Sequence, residues 1–163
     1  MSRSPYFYVE RFNEKTGKYE LEHPLIWDWK HEKREIADLF PYNGCHELFS
    51  IVEKNSYLQN LPEMQGIHIG LPNDVCEEIK ERYKKIEEAE DYLLPTARWF
   101  TYADMYIYYL KHPTALDYDE DPPKNGPNPI KSLMDRVDAF LEVMDGWDWR
   151  DDYSLIRIVY WIF

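Results

Sequence analysis

The stretch 94–102, Leu-Pro-Thr-Ala-Arg-Trp-Phe-Thr-Tyr, combines the residue types that could bind a small anionic ligand. One arginine, two threonine hydroxyls and several rings stand at or just before a predicted helix N-terminus, where free backbone N–H groups attract anions. A nucleotide could stack on Trp99 and place a phosphate near Arg98, with Tyr102 and the distant Arg157 as further candidate ligand-binding residues. The alternative interpretation is that the rings are core residues and that the arginine offsets a nearby acid.

Potential metal ligands are scattered along the chain. No two of the five histidines stand four residues apart on a predicted helix, and the adjacent Cys45 and His46 point in different directions. Asp117, Asp119 and Asp121 alternate as at the start of a calcium loop, but two prolines follow where the turn glycine and later ligands belong. We therefore predict no metal site and no other cofactor.

Sequence signatures of catalysis are also missing. The chain has no Gly-x-Ser-x-Gly or Cys-His signature, no phosphate loop and no dinucleotide fingerprint. Its many acidic residues include no spacing that selects a pair for acid–base work. No catalytic residue is predicted, and a metal-dependent hydrolase stays an alternative without an identified carboxylate cluster.

The acidic charge is the strongest compositional signal. The formal charge of the 163 residues is -12, which disfavours association with nucleic-acid backbone or an anionic membrane and favours a basic protein partner. Much of the excess lies between Asp117 and Asp152, where eleven acidic residues face four basic ones. This asymmetry predicts an acidic side of the molecule.

Aromatic residues are unusually frequent, with 14 tyrosines and 6 tryptophans. Tyr and Trp pair an apolar body with a polar tip, so some of them are expected on a groove or partner-facing patch. The candidate partner-binding residues are Asp117, Asp119, Glu120, Asp121, Tyr106, Tyr108, Trp147 and Trp149.

The expected compartment is a reducing cytoplasm. No signal peptide precedes the first predicted strand, and the longest apolar run is far short of a membrane span. Cys45 and Cys76 carry no partner motif and are expected to pack as small hydrophobic residues.

The two ends of the sequence predict one sheet. Residues 5–12 and 151–163 share a β-branched and aromatic composition and are expected to pair as neighbouring strands. Residues 19–21 form a β-hairpin with the first strand, whereas Pro24 indicates a packed loop over 23–30. In the last strand Arg157 is expected either to snorkel from an apolar face or to be held by an acid.

Four helices are predicted from apolar spacing and capping signals. The first is capped by Asn43, the second by Asp74, the third by Thr101 with Asp104 in a capping box, and the last by Asn128. The fold class is therefore α+β: a single domain over 1–163, with a small antiparallel sheet formed by N- and C-terminal strands and about four helices packed against it. Residues 112–129 are interpreted as an acidic, proline-rich loop within it.

Several segments resemble a loose group of small phage-encoded proteins in the same order along the chain. The segments are Tyr8-Val9-Glu10-Arg11, Tyr42-Asn43-Gly44-x-x-Glu47-Leu48-Phe49-x-Ile51, Gly70-Leu71-Pro72-Asn73-Asp74-Val75 and Arg157-Ile158-Val159-Tyr160-Trp161. That group has no agreed activity, so the resemblance brings no catalytic residue. It implies a phage or prophage accessory protein in the bacterial cytoplasm, for which counter-defence is a common role. Residues 97–101 depart from the Gly/His/Ser-rich stretch that group members often have there.

The leading hypothesis is a phage-encoded, non-enzymatic protein that inhibits a host defence factor through an acidic, aromatic-rich surface. Against a nucleic-acid-binding host protein, the acidic loop could imitate phosphate charge while exposed rings supply hot spots. The alternatives are a small-ligand sponge that sequesters a signalling nucleotide and the metal-dependent hydrolase named above.

Overall fold

A computed structural model describes residues 4–41, 46–53, 61–89, 95–117, 121–146 and 152–162. The strands are β1 (Pro5–Asn13), β2 (Lys18–Leu21), β3 (Leu25–Asp28), β4 (Lys33–Ile36), β5 (His68–Ile69), β6 (Arg98–Thr101), β7 (Thr114–Asp117), β8 (Lys124–Pro127) and β9 (Ile156–Ile162). The helices are α1 (His46–Val52), α2 (Glu77–Ala89), α3 (Tyr102–Lys111) and α4 (Ile130–Asp145), and a 3-10 turn spans Tyr153–Leu155.

The main sheet has five antiparallel strands in the order β2-β1-β9-β6-β5. The predicted pairing of the two end segments is confirmed, with the β1–β9 register running from Pro5 opposite Ile162 to Arg11 opposite Ile156. The predicted β1–β2 hairpin is also present. The sheet extends further than predicted because β6 pairs with the other edge of β9 and β5 pairs with β6.

Both faces of the sheet are covered, and this explains why β9 is apolar at every position except Arg157. One face packs against α1, α3 and α4, where Phe100 and Ile158 meet Leu48, Met105 and Leu133. The other face packs against α2 through a smaller cluster. All seven residues of β9 are buried, so this strand has no solvent-facing side, and Arg157 is its one charged residue.

The fold class α+β is confirmed, with differences in the helices. Three helices in the described part of the chain have ten residues or more, where about four were predicted, and α1 has only seven. The Thr101–Asp104 capping box of α3 is confirmed in both directions. Asp74 as the cap of α2 is wrong: that helix begins at Glu77, and the Asp74 carboxylate instead accepts a hydrogen bond from Arg157. The proposed cap Asn43 lies outside the described residues.

Two segments interpreted as loops contain short hairpins. Within residues 23–30, Leu25–Asp28 forms strand β3, which pairs with β4. Within residues 112–129, β7 pairs with β8, and Asp117 stands opposite Lys124. Pro24 and Pro113 each precede a strand instead of interrupting it, a position that proline tolerates.

Gly66 provides a stability prediction for this fold. Its φ of 87° is left-handed, and a Cβ there would lie 2.7 Å from the carboxylate of Asp104, the residue that completes the α3 capping box. We expect Gly66→Ala to lower the free energy of unfolding by about 2–3 kcal/mol, because backbone strain adds to a displaced cap. The matched control is Gly70→Ala, which has a φ of 95° but open space around its Cβ and should cost about 1 kcal/mol. Urea denaturation of both variants checks this, and equal losses would contradict it.

Candidate functional site

The clearest exposed apolar surface is the hairpin arm, which we define as residues 25–36 with strands β3 and β4. Its two strands form a sheet separate from the main one. Leu25, Ile26, Trp27 and Trp29 are exposed by 59%, 53%, 46% and 84%. Successive residues of a strand point to opposite faces, so both faces of the arm are open to solvent. Clustered exposed apolar side chains of this size are typical of an interaction surface.

The base of the arm is fixed by the buried His23. Its Nε2 accepts a hydrogen bond from Val9 N at 2.7 Å, and its Nδ1 lies 2.8 Å from Ala37 O. A backbone N–H can only donate and a carbonyl can only accept, so the ring is neutral with its proton on Nδ1. Burial lowers the pKa of His23 to about 4, against the opposing effect of the Ala37 hydrogen bond. A further bond from Ala37 N to Pro24 O closes the base, which holds the arm on β1.

The tip of the arm is a tight turn organised by Asp28. One carboxylate oxygen accepts bonds from Lys30 N and His31 N, and the other lies 2.6 Å from His31 Nδ1. The hydrogen bond from His31 lowers the pKa of Asp28. Asp28, His31 and Glu35 place one ligand atom each within 4.8 Å of one another, the one such group in the described ranges. Each carboxylate already has a protein partner: Asp28 is bonded to Lys30 N and to His31, and Glu35 pairs with Lys33 at 3.1 Å. The turn itself therefore accounts for the cluster.

The predicted partner-binding tyrosines of α3 are not open surface. Tyr108 is buried, and its hydroxyl donates to Pro62 O at 2.7 Å. Tyr106 is half-buried and packs against the ring of Tyr153 at 5.3 Å between centroids. The apolar exposure of α3 lies instead at Ile107 and Leu110, which sequence reasoning did not single out.

The predicted acidic contact residues are only partly described. Asp117 ends strand β7, and Asp121 is exposed before β8. Asp119, Glu120, Trp147 and Trp149 lie outside the described residues. The predicted grouping of this acidic segment with aromatic residues therefore stays a prediction.

The predicted ligand-binding residues divide between the two faces of the sheet. Trp99 stacks on His68 with ring centroids 4.1 Å apart, and the guanidinium carbon of Arg157 lies 5.6 Å from the Trp99 ring. Tyr102 belongs to the cluster on the opposite face and donates a 2.6 Å hydrogen bond to Asp138. Arg98 starts β6, in register with Tyr160 of β9.

The N-terminus of α3 is already occupied by a carboxylate. Asp104 accepts hydrogen bonds from both the backbone N and the hydroxyl of Thr101, at 3.1 and 2.8 Å. An internal acid satisfies donors that an incoming phosphate would need. The backbone N–H and the hydroxyl of Thr101 are therefore already paired, and the anion site at residues 94–102 stays a prediction.

Arg157 is held by acids, which confirms one of its two predicted environments. Its Nε donates to Glu10 at 2.6 Å and its Nη1 donates to Asp74 at 2.7 Å, while Tyr19 lies under the guanidinium. The other Glu10 oxygen accepts a hydrogen bond from Cys76 N at 2.7 Å. Burial lowers the pKa of Arg157, but the bonds to Glu10 and Asp74 outweigh it and raise the pKa above its usual value. This network joins the sheet to the segment that leads into α2, and its charged groups pair with one another.

A polar pocket of about 360 Å³ lies between the β1–β2 turn and the end of α4. Charged side chains dominate its lining, namely Arg11, Glu14, Lys15, Glu20, Glu22 and Asp145. Glu22 is buried although it is ionisable, and its neighbour Asp145 forms an ion pair with Arg11 at 3.0 Å. Sequence reasoning missed the proximity of Glu22 and Asp145 because these two residues lie 123 positions apart along the chain.

No helix among the described residues combines the length and apolar character needed to cross a bilayer. Comparison of the chain with protein-family models, with curated proteins and with solved structures finds no match.

Proposed function

We propose that this chain is a phage-encoded, non-enzymatic binding protein that inhibits a host protein in the bacterial cytoplasm. A defence component is the partner class we favour, and the hairpin arm is the contact surface. The observation that carries the proposal is the exposure of four large apolar side chains on an arm whose strands, in the described part of the chain, pair with each other and not with the main sheet.

The arm has the features of a hot-spot element. A tryptophan can bury about 150–250 Å² of surface, and a few such anchors supply most of the binding energy of a protein interface. The His23 clamp holds the base of the arm before any partner arrives. Less ordering entropy is then lost on binding, so more of the interaction energy contributes to affinity.

The partner that fits this surface presents an apolar cleft with basic residues around it. The formal charge of -12 speeds encounter with a basic protein and repels acidic competitors. In this proposal charge sets the association rate and its salt dependence, while Trp27 and Trp29 set the lifetime of the complex. Asp121, which is exposed before β8, belongs to the acidic part of the surface that attracts the basic partner during encounter.

The test uses Trp27→Thr combined with Trp29→Thr, because threonine keeps β propensity while removing both rings. The wild-type chain is used to isolate a partner from bacterial lysate, and affinity is then measured with the purified partner. We expect the double variant to bind at least about 100-fold more weakly, roughly 2.7 kcal/mol, and the wild type to inhibit the partner's activity.

The matched control is Val143→Thr, which removes a 70% exposed apolar side chain from α4. It should bind as the wild type does. Equal affinity of the double variant and the wild type would overturn the assignment of the arm. Failure of any partner to show inhibition would overturn the inhibitory function.

A further inference from the structure

The polar pocket contains a buried acid whose hydrogen bonding is incomplete. Glu22 is 7% exposed, and its Oε2 accepts no hydrogen bond from any donor in the described part of the chain. Asp145 Oδ2 lies 3.0 Å from Arg11 Nη1 as an ion pair without hydrogen-bond geometry. A buried carboxylate normally has its donors, because leaving one unsatisfied costs free energy. An ionised Glu22 therefore lacks a donor on the pocket side of β2.

The charges around the pocket favour a cation. Four carboxylates line it, those of Glu14, Glu20, Glu22 and Asp145, against the two basic side chains of Arg11 and Lys15. Arg11 is committed to Asp145, and the one described hydrogen bond to the Glu20 carboxylate comes from the neutral Asn13 amide. Among the described residues of the lining, and with Glu22 ionised, two negative charges are left without a balancing cation.

We propose that this pocket binds the ammonium or guanidinium group of an organic cation, with Glu22 and Asp145 accepting its N–H donors. Such a group supplies both the missing charge and the missing hydrogen bond. The volume of about 360 Å³ is at the low end of small-molecule pockets. A tightly held metal ion fits less well, because the one described group with three convergent metal-ligand atoms is on the hairpin arm and not here. The inference does not depend on the function proposed for the arm.

Protons compete with the cation for this site. The pKa of Glu22 is raised to about 8, first by burial and then by the hydrogen bond to Asp145 and the repulsion from that residue. Arg11 acts in the opposite direction and lowers this pKa, whereas Glu20 contributes to raising it. Glu14 and Lys15 are the remaining charged groups of the lining. Below pH 8 a proton therefore occupies Glu22 in the free protein, and cation binding must release it. The affinity should rise with pH up to about pH 8 and then level off.

Calorimetric titration of the full chain tests this with two probes, 1,4-diaminobutane and the peptide acetyl-Gly-Arg-Gly-amide. We expect at least one probe to bind at least tenfold more tightly at pH 8.5 than at pH 6.5. Titrations at pH 7 in buffers of different ionisation enthalpy should show about 0.9 protons released per cation bound, from a group with a pKa near 8. Binding of the diamine alone identifies a free small cation as the ligand, whereas binding of the peptide identifies an arginine side chain of a protein.

The decisive variant is Glu22→Gln, which imitates the protonated acid and so keeps the pocket neutral and folded. It should lose at least tenfold in affinity and all proton release. Asp145→Asn is the second variant if the first fails to fold. Glu88→Gln is the charge-matched control on α2, where that exposed carboxylate pairs with Lys84, and it should bind normally. Absence of binding by both probes at pH 8.5, unchanged binding by both pocket variants, or Glu22-dependent binding of magnesium chloride alone would overturn the proposal.

Discussion

Replacement of Glu10 by alanine is expected to lower the free energy of unfolding by about 3–5 kcal/mol, enough to unfold much of the protein at 37 °C. Glu10 is 0% exposed and Arg157 only 3% exposed, and their 2.6 Å pair lies between the sheet and the segment leading into α2. Removal of the acid leaves a buried guanidinium with Asp74 as its remaining hydrogen-bonded carboxylate. The Cys76 backbone N–H also loses its acceptor, which adds a buried unsatisfied donor.

The matched control is Asp74→Ala, which removes the other carboxylate from the same guanidinium. Asp74 is 65% exposed in this pair, so water replaces it and the loss should stay below about 1 kcal/mol. A third variant replaces both Glu10 and Arg157 by methionine and should recover the part of the loss that the unpaired guanidinium causes, because no buried charge then stands alone, while the Cys76 N–H still lacks its acceptor. Urea denaturation with a common m value measures all three. If Glu10→Ala costs no more than Asp74→Ala, the buried pair is not the centre of this network.

Removal of residues 160–163 is expected to abolish cooperative folding. Tyr160, Trp161 and Ile162 are at most 5% exposed and belong to the strand between β1 and β6. Their loss removes the pairing partners of Pro5, Tyr6 and Phe7 in β1. Burial of each large side chain stabilises the fold by about 1.5–3 kcal/mol, so the combined loss approaches the entire stability of a typical domain.

Near-ultraviolet circular dichroism and thermal melting measure the truncation. We expect no tertiary signal and no sharp transition, with exposed apolar surface that binds a hydrophobic dye. The matched control is Tyr160→Phe, which keeps the strand and removes only the hydroxyl that donates to Val52 O at 2.6 Å. It should cost about 1 kcal/mol and melt cooperatively. A truncated chain with a sharp transition would show that β9 does not hold the sheet together.

Local signals were sufficient for part of the fold. Thr101 and Asp104 identify the start of α3 because a capping box satisfies backbone groups within four residues. Gly146 ends α4 with a φ of 67°, a conformation that glycine adopts without strain. Asp74 carries the same local signal as a cap, but α2 begins only at Glu77, and the Asp74 carboxylate accepts a hydrogen bond from Arg157, which lies 83 positions away in the chain.

Short strands were the elements that local signals missed. β6 has four residues, and its strand character depends on hydrogen bonds to β9 and β5 on its two sides. β3 follows a proline and exposes its apolar side chains, so no alternating pattern marks it. Since β propensity reflects packing against neighbours more than an intrinsic preference of the chain, such strands are decided by their partners.

The sequence alone determined that the fold is α+β, that the segments 5–12 and 151–163 pair, and that the charge is strongly acidic. Periodicity and composition carry this information because each is a property of neighbouring residues. Only the tertiary structure decided that Glu10 and Asp74 hold Arg157, that Glu22 meets Asp145, and that Trp27 and Trp29 stand on an exposed arm instead of in a packed loop. These features bring together residues that are distant in the chain. They depend on shared burial and on desolvated charges, and both arise only when the strands have paired and the helices have packed against the sheet.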